Sequence, residues 1–187
     1  MRWDGLFDDL EAHWADLGWQ LTVADAAELT RAEWARLPLA DRLRGAVGAD
    51  LRVLLAWDEV LDLRVRTAGR GWLGGATAGG GSVLVPIGSI AALEGDLGAA
   101  VPPPASVARE AGIGVAYRRL ARARAGVRLL GARGSLLVEG TVDRVGEDHL
   151  DVARHAGDEA RRRGAVRGRL VVPFAAVGLA RAAGALD

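Results

Sequence analysis

The chain is written twice. Sliding the sequence against itself by 77 positions sets Leu61, Leu63 and Val65 on Val138, Gly140 and Val142, Gly69 on Gly146 and Leu73 on Leu150. The register runs upstream, where LADRLRGAVG overlies AYRRLARARA with Leu43 on Leu120 and Arg42 on Arg119. Beyond the third apolar run the offset becomes 87, so that VLVPIGSI overlies LVVPFAAV, with Val85 and Pro86 on Val172 and Pro173, and Ile90 on Val177. The ten extra residues form an insertion around Asp158 to Gly168. A repeat constrains the fold more than any single motif, because both copies must satisfy one local pattern.

The second copy is the easier to read. VRLL, LLVEGTVDRV, HLDVARH, RLVVP and a closing GLARA read as short strands, with FAAV as a single turn before the last. The alternation puts Val138, Gly140 and Val142 on one face of the second strand. It puts Leu150 and Val152 inward on the third, with His149, Asp151 and His155 outward. Short strands of this kind predict a small barrel, since closure removes exposed sheet edges. The expected fold class is α+β: two small five-stranded barrels in tandem, each preceded by a short helix. The expected domains are a helical arm at 1–37, a first barrel with its helix at 38–95, a Pro-rich linker at 96–106 and a second barrel with its helix at 107–187.

A helix, five short strands with a glycine in the second and a turn before the fifth resemble the Sm-like fold of Sm, LSm and Hfq-type proteins. Gly140 and the paired LVPIGSI and LVVPFAAV segments carry the resemblance. The first copy departs from it, with Leu63 where the second has Gly140, and neither copy has the Tyr-Lys-His run with which the Hfq type grips uridine-rich RNA. The resemblance implies RNA as a partner, and an arginine-rich rim at the junction of helix and first strand, where Arg122 and Arg124 stand. In Sm-type rings neighbouring barrels join through strand four of one and strand five of the next. This implies that the two barrels pair likewise or extend into a homo-oligomer, a dimer or larger ring.

The arm at the front has its own pattern. Trp3, Phe7, Leu10, Trp14, Leu17, Leu21 and Ala24 recur at alternating steps of four and three, a coiled-coil-type seam. Gly18 falls within the seam, so one helix or two remain open. A single helix cannot bury this stripe alone, so Trp3, Phe7, Leu10, Trp14, Leu17 and Leu21 are the candidate oligomer contact. Docking on the first barrel is the alternative. Between the copies, GDLGAAVPPPASV predicts a stiff spacer.

Charge sharpens the candidate site. Residues 1–63 carry 13 acidic and 6 basic side chains, and residues 64–187 carry 11 and 18, so a neutral chain has a negative head and a positive body. The arginines of that body gather at Arg118, Arg119, Arg122 and Arg124 before the second barrel, and at Arg161, Arg162, Arg163, Arg167 and Arg169 in or beside the insertion. Guanidinium forks match phosphate oxygens, so these nine are the nucleic-acid-binding candidates; pairing with the acidic arm explains them equally well. Tyr117 and Trp72 are the nearby aromatics that could stack on bases.

Catalysis finds no constellation. Cysteine is absent, which removes disulfides, thiolate metal sites and cysteine nucleophiles. His149 and His155 lie roughly 20 Å apart along an extended strand, too far to share an ion. GRGWLG matches a dinucleotide-loop pattern, but a strand follows it instead of a helix. No metal or cofactor is expected. The chain reads as a non-enzymatic, cytoplasmic binding protein. One version is RNA-associated through the arginine rim; the other is a protein-interaction adaptor that self-associates through the N-terminal helix, without a nucleic-acid role.

Overall fold

A computed structural model of the protein describes residues 28, 30–102, 112–156 and 166–182. The chain divides into two compact units, Met1–Pro38 and Leu39–Asp187. In the first unit, residues 30–34 are helical, and Trp34 and Leu37 are exposed. The seam residues Trp3, Phe7, Leu10, Trp14, Leu17 and Leu21 lie outside the described residues.

In the second unit, α1 (Leu39–Gly45) precedes β1 (Asp50–Leu55), β2 (Val60–Gly69), β3 (Trp72–Thr77), β4 (Ser82–Pro86) and β5 (Ile90–Glu94). Then α2 (Ile113–Ala123) precedes β6 (Gly126–Gly131), β7 (Leu136–Val145), β8 (His149–Arg154), β9 (Arg169–Pro173) and β10 (Val177–Ala182). A single 3-10 turn stands before β5 and another before β10, at Ile87–Ser89 and Phe174–Ala176. The period-two pattern works as written: Leu61, Leu63 and Val65 on β2, and Val138 and Val142 on β7, are buried.

The expectation of two closed five-stranded barrels is overturned. The ten strands form one antiparallel sheet in the order β5-β1-β2-β3-β4-β10-β6-β7-β8-β9. Closure was inferred from the need to hide edges. The molecule instead hides two of them against each other: β4 pairs with β10, with Leu84 opposite Ala180 and Val83 opposite Arg181. The outer edges are β5 and β9. A coiled coil likewise has no counterpart among the described residues. The two helices are short, and the larger, α2, packs on β7 instead of on another helix.

The repeat itself survives at the level of single pairs. Leu73 opposes Val85 in the first copy, and Leu150 opposes Val172 in the second. Bulges interrupt equivalent places, between Val65 and Thr67 and between Val142 and Arg144. The copies also exchange core residues across the β4-β10 junction. Trp72 and Leu84 belong to the core of the second copy, and Leu179 to that of the first. Glu59 and Arg181 form an ion pair across the same junction.

Gly140 proves to be a point of close approach. A Cβ built there would stand 1.9 Å from the carbonyl oxygen of Ala153 on β8, and its φ is +158°. Leu63, its equivalent, opposes Thr77 and carries a full buried side chain.

Candidate nucleic-acid interface

The helix α2 places its residues by simple geometry. Ala116, Tyr117 and Leu120 are buried toward the sheet, so the positions between them face solvent. Arg118, Arg119 and Arg122 therefore stand exposed, and among the described residues none has a hydrogen bond or ion pair. Arg118 and Arg122 are four apart on one helix, a spacing at which like charges repel by a few tenths of a kcal/mol. Arg119 also helps line a narrow slot with Arg66, Thr67, Trp72, Ser82 and Ala116. Residues of both copies thus bring a further guanidinium, Arg66, beside the helical set.

Arg124 and Arg169 are held differently. Both reach Asp143 on β7, at 3.6 Å and 4.0 Å, and the Asp143 side chain is only 13% exposed. Arg124 closes α2 in the left-handed conformation, φ 52°, where glycine is the usual occupant. Asp143, in its own unit, is thus a partner of Arg124. Together with Arg144 and Asp151 these residues line an open polar groove of about 250 Å³. Arg167 lines a separate depression near Glu139 and His155. Arg161, Arg162 and Arg163 lie outside the described residues.

Three sequence expectations change. Tyr117 and Trp72 are both buried, so neither offers a ring face for base stacking. The Tyr117 hydroxyl has no hydrogen-bond partner among the described residues, and burial raises its pKa above the ordinary value. His155 points inward, not outward. Its Nδ1–H donates to the Ala156 carbonyl at 2.8 Å, and its Nε2 lies 2.8 Å from the buried Thr141 hydroxyl. The alternation already breaks inside β8, where Ala153 is buried and Arg154 exposed, and this phase shift carries His155 to the inner face. His149 does face outward, bonded to Asp148 at 2.9 Å, and this bond holds the Asp148 carboxyl below its ordinary value. GRGWLG forms the β2-β3 hairpin, with Gly69 opposite Trp72 and Gly71 at φ +82°.

Asp143, Arg66 and Arg144 were not singled out from the sequence. Asp143 and Arg144 sit at the β7 bulge, and Arg66 at the equivalent β2 bulge, where the inward-outward alternation is broken. The duplicated pattern could have pointed to that position, but not to the bulge itself.

No family model matches the chain, and no curated protein or solved structure matches it either. No helix among the described residues is long and apolar enough to cross a membrane.

Proposed function

We propose that the protein is a non-enzymatic binding protein that holds the phosphate backbone of RNA on the outer face of α2. The observation that carries this reading is the group Arg118, Arg119 and Arg122, exposed on one helix and without an internal acidic partner among the described residues. Arg66 extends the group across the slot. Mutually repelling guanidiniums gain most from an anion that bridges them, and their forks suit phosphate oxygens. Arg124 and Arg169, already anchored by Asp143, flank the site with half-neutralised charge. With Tyr117 and Trp72 buried, base stacking by these rings drops out, so the reading is of backbone recognition tolerant of sequence.

The test is titration of fluorescein-labelled single-stranded RNA at two or more salt concentrations. The intact chain is compared with the Arg118→Ala, Arg119→Ala, Arg122→Ala triple variant. Loss of three phosphate contacts should flatten the slope of log affinity against log salt by about 2. An unchanged slope in the triple variant, or affinity independent of salt in the parent, would sink the reading.

A further inference from the structure

Strand β7 extends beyond the reach of its partner β8. On that side the ladder runs from Val145 to Gly140, and a last bond joins the His155 N–H to the Glu139 carbonyl at 3.3 Å. Leu136 and Val138, further upstream, pair with β6 alone. Both polar backbone groups of a strand residue point the same way, so the Glu139 N–H faces the β8 side too; it has no backbone acceptor among the described residues. A groove of about 390 Å³ follows this stretch. Residues 136–139 form one wall, and Arg154, His155 and Arg167 stand on the other.

The duplication supplies the comparison. The first copy holds Thr77, Ala78 and Gly80 where the second holds Arg154, His155 and Arg167. The backbone at the base of the insertion is otherwise the same: the Arg154 N–H donates to the Gly168 carbonyl at 2.9 Å, as the Thr77 N–H donates to that of Gly81 at 2.8 Å. One frame thus carries a neutral turn in one copy and two guanidiniums in the other. Arg154 and Arg167 are exposed, and neither has a side-chain hydrogen bond or ion pair among the described residues. The carboxylate on the opposite wall, Glu139, is already answered by Arg128 at 3.8 Å.

We propose that this groove takes an extended acidic peptide of a partner protein, added to β7 along the stretch that β8 leaves open. Residues 136–139 span about 13 Å, ladder enough for about four residues of the partner. The peptide backbone supplies an acceptor for the Glu139 N–H, and an apolar side chain covers Leu136, which is 51% exposed. Acidic side chains at alternate positions meet Arg154 and Arg167. A phosphate backbone would answer the arginines but leave Leu136 uncovered. The groove shares no residue with the Arg118, Arg119 and Arg122 group.

The probe is a fluorescein-labelled octapeptide alternating valine with glutamate, titrated by anisotropy into the full-length protein. Its counterpart with lysine for glutamate tests charge, and two versions N-methylated at alternate amides, each blocking one edge, test strand addition. The glutamate peptide should bind, and the lysine peptide and one of the N-methylated pair should bind about tenfold or more weakly. Hydrogen exchange at the Glu139 amide, followed by NMR, should slow in the complex. The Arg154→Ala, Arg167→Ala double variant, changed at two exposed positions, should keep the parent's circular dichroism and lose about tenfold or more in peptide affinity. Its titration with RNA should match the parent's.

Equal binding of the parent peptide and both N-methylated versions would mean attraction by surface charge alone and overturn the proposal. A weaker RNA titration in the double variant would assign the groove to nucleic acid instead and also overturn it. So would a parent protein without affinity for the glutamate peptide at about 1 millimolar, whether its own residues 157–165 cover the edge or nothing does.

Discussion

Replacing Gly140 by alanine tests the packing argument at its tightest point. The added Cβ would lie 1.9 Å from the Ala153 carbonyl oxygen, where 3.0 Å is already the floor for real contacts, so β7 and β8 must part by 1.1 Å or more. Both partners are backbone, and neither can rotate away. Separation weakens the ladder where Gly140 opposes Arg154 and Thr141 opposes Ala153. One buried backbone group left unpaired costs about 1–3 kcal/mol, and a side chain at φ +158° adds about 1–3 kcal/mol of strain.

The expected loss is therefore about 2–6 kcal/mol, reaching the upper end of single-residue effects. Urea unfolding followed by circular dichroism, extrapolated linearly to water, measures it. Failure to give a cooperative transition would agree with the same reasoning. A variant within about 1 kcal/mol of the parent would show that the strands yield easily and that the glycine is not required by close approach. The equivalent Leu63 makes a useful contrast. Leu63→Gly removes a buried side chain in a place with room for one, so its cost should follow cavity formation and not backbone clash.

Other outcomes follow from the junction and the core. Leu179→Ala removes a fully buried side chain that β10 lends to the core of the first copy, and should cost about 2–5 kcal/mol while shifting a single unfolding transition; two separated transitions in calorimetry would contradict the exchange of core residues. Tyr117→Phe deletes a buried hydroxyl with no partner among the described residues, so urea unfolding should find the variant equal to or about 1 kcal/mol more stable than the parent. A loss of more than about 1 kcal/mol would mean that the hydroxyl is satisfied.

The strand pattern and the hairpin at GRGWLG could be read from the order of residues, because each depends on neighbours two to a few positions apart, and the duplication could be read because that local pattern recurs. Leu61, Leu63 and Val65 announce a buried face whatever surrounds them, and the shift of offset from 77 to 87 marks the insertion before β9. His155 escaped the same logic because the alternation shifts phase within its strand, at buried Ala153 and exposed Arg154.

The tertiary structure decided which edge meets which. Nothing local distinguishes a strand whose edge closes a barrel from one whose edge pairs with residue 180 of the same chain. That choice is made by contacts about a hundred residues apart, such as Leu84 with Ala180. The same distance separates the arginine pattern from its meaning. Sequence grouped Arg118, Arg119, Arg122, Arg124 and Arg169 by type, but only the tertiary structure brought Asp143, beside the β7 bulge, to two of them and left three without an acid among the described residues. Periodicity is fixed by the geometry of one chain segment, whereas pairing and charge neutralisation are fixed by what the folded chain brings together.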